Sequence, residues 1–281
     1  MIYNFIEYGV RNLKKKKILR YVTKQTAYDL WHVGVRFREK SKLIKLLNSQ
    51  NKIKLSEIPR VEKFYFLYLT FLVSKMSKIL EIGSSSCEFI EGIELFNKIF
   101  RKDKNNKAIK FYGIDTNEDF NILSNYIAKS KKNYLSTFPT LNKFLNKNKD
   151  LKKFFFHDLG VMHYEFKSTK SFINYLNRFN SAFIRVCFSK KKGFISGKSG
   201  QKFYYFSLNE TLKLSNKPIY FLYSGKKWSI ANKNKDLLDG YFYIGNNVDK
   251  IIKLMNKHKK QSGLGKILKK IDINISLLKK K

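Results

Sequence analysis

The stretch Lys78-Ile79-Leu80-Glu81-Ile82-Gly83-Ser84-Ser85-Ser86-Cys87 constrains the fold more than any other part of the chain. A short apolar run ending in glycine and then small residues reads as a buried strand entering a tight turn, with a helix from about Glu88 to Phe100 behind it. The same grammar continues downstream. Phe111 to Asp115 reads as a second strand, followed by a long helical stretch broken near Pro139, and Lys153 to Phe156 as a third strand running into His157-Asp158. A helix around Ser171 to Asn177 precedes a fourth strand, Ala182 to Phe188, and residues 190–200 read as a Gly/Lys/Ser loop. Next come a helix near Asn209 to Leu214, strands at Ile219 to Tyr223 and Tyr241 to Ile244, and a helix from Val248 to about Lys257. Strands alternating with helices predict an α/β fold: a doubly wound, mostly parallel, Rossmann-like sheet covered on both faces.

Upstream, residues 1–60 read as polar and helical, and Ser56, Glu57 and Pro59 signal the start of a helix over Arg60 to Lys75. Phe64, Leu67, Tyr68, Phe71 and Leu72 recur there at helical spacing. The expected division is a helical cap at 1–60, an α/β domain at 61–258 and a basic tail at 259–281.

Charge is the second constraint. The 281 residues carry 58 basic and 21 acidic side chains, a net charge of +37, with 43% apolar residues. That apolar share supports a packed core and excludes wholesale disorder. Only Arg11, Arg20, Arg36, Arg38, Arg60, Arg101, Arg178 and Arg185 are arginine; lysine supplies the other 50. Lys, Asn, Ile, Phe and Tyr all have codons rich in A and T, so much of the charge reads as codon bias on a solvated surface. Proteins that grip phosphate favour the arginine fork, and nucleic acid is accordingly a secondary partner, held by salt-sensitive attraction. Cys87 and Cys187 cannot build a disulfide framework, which fits a reducing, cytoplasmic setting. Phe64 to Val73, the longest apolar run, is about half of the roughly 20 residues a membrane span needs. The apolar N-terminus precedes its lysines, the reverse of a signal peptide. Met1, Ile2, Tyr3 and Phe5, with Lys14 to Lys17 and Lys279 to Lys281, suit a weak peripheral contact with the inner face of a membrane.

In a doubly wound sheet, ligands bind beyond the carboxyl ends of the strands, where the strand order reverses. Gly83 can take positive φ, and the small residues after it let a ligand approach the next helix N-terminus. Asp115, ending the second strand, can accept both hydroxyls of a ribose; Asp158, ending the third, suits an exocyclic amine. Together they describe an adenosine pocket. A Rossmann dinucleotide site would need the G-x-G-x-x-G spacing that Gly-Ser-Ser-Ser-Cys lacks.

From Lys78 to Phe188 the chain resembles the class I S-adenosylmethionine-dependent methyltransferases. Their first motif is an acidic residue, any residue, then Gly-x-Gly-x-Gly. Here Glu81 matches the acid and Gly83 the first glycine, while Ser85 and Cys87 stand at the second and third. The resemblance implies a seven-stranded sheet with an antiparallel last hairpin, and S-adenosylmethionine as cofactor. It places Glu81, Gly83, Ser84, Ser85, Cys87, Asp115, Asp158 and Leu159 at the donor.

The acceptor follows by subtraction. Val186-Cys187-Phe188-Ser189 stands where amino-methylating members carry Asn-Pro-Pro-aromatic. Cys187 lacks the proline of cytosine-C5 enzymes and reads as a small buried hydrophobe. Ser189-Lys190-Lys191-Lys192 offers no carboxylates for a catechol-type metal, and His157, His163 and Asp158 make an incomplete ligand set, so no metal is expected. What remains is methylation of an oxygen on a small or saccharide-like acceptor, with His157 as the candidate base. Trp31, Arg36 and Arg38, with His32 and Lys40 nearby, are the candidate acceptor contacts in the cap. Phe203 to Phe206 reads as packing. Two alternatives stay open: an RNA-modifying or RNA-binding protein using the lysine surface, and a non-catalytic protein of methyltransferase fold.

Overall fold

The computed structural model describes residues 61–84, 89–90, 93, 109–116, 134–158, 160–190, 193–196, 202–223, 236–260 and 275–278. The expected cap at 1–60, with Trp31, Arg36 and Arg38, lies outside them, as do Ser85, Cys87 and Leu159.

Five parallel strands form the centre: β1 (Lys78–Ile82), β2 (Lys110–Ile114), β3 (Tyr134–Phe138), β4 (Phe154–Asp158) and β5 (Ser181–Ser189). Their spatial order is β3-β2-β1-β4-β5, so the chain reverses direction across the sheet between β1 and β4. Beyond β5 the sheet continues through β9 (Leu237–Ile244) and β8 (Ile219–Tyr223) to β10 (Ser276–Leu278). β9 runs antiparallel to both β5 and β8. This is the antiparallel last hairpin that the resemblance implies. Two further strands, β6 (Gly193–Ser196) and β7 (Lys202–Ser207), make a hairpin that joins the end of β5.

Helices cover both faces. On one, α1 (Val61–Ser74) and α6 (Val248–Lys260) pack over Ile79, Phe111, Phe155 and Phe183. The consecutive residues Tyr65 to Leu69 of α1 are all buried, as expected of a helix apolar on every side. On the other face α2 (Leu141–Lys147), α3 (Met162–Glu165), α4 (Thr169–Leu176) and α5 (Leu208–Leu214) meet Leu80, Ile82, Phe156 and Ile184. Side-chain caps start α2, α4 and α5: Thr140 Oγ1 accepts from Lys143 N, Ser168 Oγ from Ser171 N, and Ser207 Oγ from Glu210 N.

Five expectations need correcting. Residues 134–138 are a strand rather than part of a helical stretch, because Ser136 and Thr137 interrupt the apolar run without setting a helical period. His157-Asp158 therefore ends the fourth strand, not the third. The loop expected at 190–200 contains β6, which pairs with the aromatic stretch of β7. Ser276–Leu278, assigned to the basic tail, pairs with β8, and the sheet has ten strands among the described residues instead of seven.

Gly83 ends β1 at φ +65°, where a side chain is strained. A Cβ built there would lie 2.1 Å from Val161 Cγ2, so the turn after β1 is locked against the segment after β4. Replacing Gly83→Ala is expected to destabilise the fold by about 2–4 kcal/mol, from strained backbone plus overpacking. Urea denaturation of the two proteins measures it, and a loss below about 1 kcal/mol would contradict this packing.

Candidate functional site

The crevice rule places the site beyond the carboxyl ends of β1, β2 and β4. Ile82 is level with Ile114 on one side and with Asp158 on the other. One residue further, Gly83 and Asp115 stand side by side. The Gly83 and Ser84 N–H groups both donate to Ile114 O, at 2.8 and 3.0 Å, and Asp115 N–H donates to Phe138 O at 3.1 Å. These bonds fix the turn and leave the half-buried Asp115 at the rim. Ser84 is buried, and its hydroxyl has no hydrogen-bond partner among the described residues. A buried hydroxyl without a partner costs free energy unless something meets it. The N–H groups expected at the following helix N-terminus fall on residues outside the described set; Phe89, Ile90 and Ile93 lie in helix.

Asp158 is used differently from the expectation. Its Oδ2 accepts from Gly160 N at 2.9 Å, and its Oδ1 from Val161 N at 2.9 Å and Met162 N at 3.4 Å. Fully buried, the carboxylate holds the chain into α3 instead of facing an exocyclic amine. Through Val161 it also sets the wall against which Gly83 packs.

His157 is likewise corrected. It has no exposed surface; its Nδ1 lies 3.0 Å from Glu81 Oε1, off hydrogen-bond alignment, and its ring stacks on Phe183 at 5.6 Å. Burial, with the Lys63 charge adding, holds its pKa well below the ordinary value, so the ring is neutral. A base must reach the proton it takes, and this imidazole is sealed between β1, β4 and Phe89. Its place is under Glu81, not at an acceptor.

His163 has a structural task that the sequence does not reveal. Nδ1–H donates to Tyr204 O, and Nε2 accepts from Cys187 N–H at 2.9 Å. The ring thus bridges β5 and β7 where the two strands splay, stacked between Phe203 and Phe206. Burial pushes its pKa down to about 3. Cys187 is buried as expected, and burial raises its thiol to about 12, far from a nucleophile's range.

An ion pair was missed altogether. Arg185 Nη2 and Asp239 Oδ2 are 3.2 Å apart, with side-chain exposures of 14% and 1%. A charged residue inside an apolar strand, Ala-Phe-Ile-Arg-Val-Cys-Phe, was the available signal. Among the described residues no three His, Cys, Asp or Glu side chains stand close enough to hold a metal ion. A cavity of about 500 Å³, lined by Leu212, Lys217, Ile219 and Leu278 among others, opens at the amino end of β8, the opposite edge of the sheet from Gly83. No helix among the described residues is long and apolar enough to cross a membrane.

No protein-family model matches the chain, and no curated protein does. Similar solved structures include the N-terminal domain of EvdMO1, crystallised in the presence of SAH and D-fucose, at 7% identity and TM-score 0.45 over 67% of this chain and 82% of that one. Another is an O-methyltransferase from a trans-AT PKS multienzyme of Brevibacillus brevis, in complex with S-adenosyl-L-homocysteine, at 11% identity and TM-score 0.43 over 73% and 82%. A third is a SAM-dependent methyltransferase from Methanosarcina mazei, at 12% identity and TM-score 0.35 over 59% and 89%.

The buried neutral histidines set a pH dependence. The unfolded chain protonates them near 6.5 and the folded protein does not, so the unfolded state binds more protons below that pH. Their contribution is complete above about 6.5 and is lost as pH falls. For His157 and His163 the loss should approach about 1.4 kcal/mol per pH unit each, with His258, pushed down to about 4 by burial, following. Urea midpoints at pH 7, 6 and 5 should fall steeply; a flat profile would contradict the buried neutral state.

Proposed function

We propose that the chain is an S-adenosylmethionine-dependent methyltransferase acting on an oxygen of a small or saccharide-like acceptor. The observation that carries this is the pairing of the Gly83 turn with Asp115 at the reversal of a β3-β2-β1-β4-β5 sheet closed by an antiparallel hairpin. The residues fit the donor. Asp115 is a half-buried carboxylate at the end of β2, where it would meet a ribose diol, and Ser84 brings a buried hydroxyl with no hydrogen-bond partner among the described residues. Glu81, one strand from His157 and 5% exposed, lies just beneath the turn. Gly83 contributes the shape of the turn; the room beside its Cα is taken by Val161.

When bound, the donor supplies a methyl group on a sulfonium that is already activated. The protein's part is then to align an oxygen with that group and exclude water, which proximity alone makes effective. Asp158 and Val161 hold the β4 exit against the β1 turn, which keeps the floor of the crevice in place. The buried, protonated Cys187 thiol speaks against methylation of a cytosine-type carbon through a cysteine adduct.

Calorimetric titration with S-adenosylhomocysteine tests the reading. Micromolar affinity is expected, weakened about tenfold to a hundredfold in Asp115→Ala by loss of a charged hydrogen-bond pair. A folded protein that does not bind, or an Asp115→Ala variant of undiminished affinity, would overturn it.

A further inference from the structure

We propose that the cavity at the amino end of β8 is a binding site for an aliphatic monocarboxylate, an acyl chain of medium length whose carboxylate meets Lys217. The cavity lies at the opposite edge of the sheet from Gly83, so the inference stands apart from the methyltransferase reading.

Three elements enclose the space. α5 ends at Leu214, β8 begins at Ile219, and the edge strand β10 pairs antiparallel with β8, so that Leu278 is level with Ile219. The volume of about 500 Å³ falls within the roughly 300–1,000 Å³ of small-molecule sites. Leu212, Ile219, Leu277 and Leu278 supply apolar lining, and Asn216 and Lys217 lie on the polar side. Leu212 and Ile219 are buried, whereas Leu277 is 47% exposed, which gives an apolar floor and an open flank.

The polar side is held in place by the turn before β8. Ser215 Oγ donates to Lys217 O and accepts from Lys217 N–H, at 2.7 and 3.2 Å. The half-buried Lys217 Nζ donates to Asn177 O at 3.1 Å and to Asn216 Oδ1 at 2.7 Å. An ammonium has three N–H groups, so one is left over. Both acceptors are neutral, and among the described residues no carboxylate pairs with this cation. Burial, with the Lys152 charge adding, holds its pKa below the ordinary lysine value. A cation kept beside an apolar wall, against its own desolvation and a like charge, is stabilised by an anion that takes the remaining N–H.

The same residues select the ligand. One ammonium without an arginine fork suits a single charge, a carboxylate rather than a phosphate. No aromatic ring is among the described lining residues, so nothing is offered for a sugar or a base to stack on. Leucine and isoleucine walls suit an aliphatic body, which removes apolar surface from water as it settles. Such a chain would also brace β10, whose three residues pair with β8 alone.

The test titrates the full chain calorimetrically with sodium decanoate below its micellar concentration, and with decanol, acetate and decyltrimethylammonium as controls. One decanoate per chain is expected, bound at least about tenfold more tightly than any control, because both the charged hydrogen bond and the apolar burial contribute. Hydrogen exchange at residues 276–278 should slow on binding. Lys217→Gln keeps a donor for Asn177 O without the charge, and Leu277→Glu adds a repelling carboxylate at an exposed position. Each should weaken decanoate binding by about tenfold or more. Lys253→Gln, exposed on α6, should leave it unchanged, which separates the site from general attraction to a chain of net charge +37. Absence of binding, equal affinity for decanol, or an equal loss in Lys253→Gln would overturn the proposal. So would sedimentation showing a dimer that Leu277→Glu dissociates, since a second copy would then cover the open flank.

Discussion

Everything at the candidate site depends on β1 pairing in parallel with two strands at once. Ile82 meets Ile114 on one side and Asp158 on the other, so three strand ends finish within one residue of each other. The strand order reverses between β1 and β4, the place where a doubly wound sheet leaves a crevice beyond its strand ends. Gly83 and Val161 then close the floor. The glycine turns away at positive φ, and the valine fills the space that any larger residue at 83 would need.

Polar groups in the interior are placed where regular pairing fails. Asp158 takes up N–H groups of the turn into α3, which has no side-chain cap of its own at Val161. His163 stands in for a missing stretch of ladder, joining Cys187 N–H to Tyr204 O where β7 departs from β5. Each ring or carboxylate satisfies backbone groups that burial would otherwise leave costly. Such residues look functional in a linear reading. The distinction is visible only in what they touch: Asp158 and His163 bond their own scaffold.

Much of the fold was legible. The strands at 78–82, 110–114 and 219–223 and the helix at 61–74 follow from apolar runs, glycine and period. Residues 134–138 were not legible, because five residues containing Ser136 and Thr137 carry too little periodicity to tell strand from helix. That one omission moved His157-Asp158 from the fourth strand to the third, and with it the reasoning about an adenine contact. The β6–β7 hairpin was hidden for a related reason: Gly193 and its lysines look like loop until Tyr205 packs over the glycine.

By itself, the sequence determined a two-faced α/β sheet and the turn at Gly83, since both follow from local rules of burial period and permitted φ. It also determined that Cys187 would be buried, being one small residue inside an apolar strand. Only the tertiary structure decided that His157 is sealed against Glu81, that Asp158 caps its own loop, and that Arg185 meets Asp239 at a distance of 54 residues along the chain. Side-chain roles of this kind depend on which strands become neighbours. Neighbourhood is set by the strand order and register of the whole sheet, which no local stretch of sequence encodes.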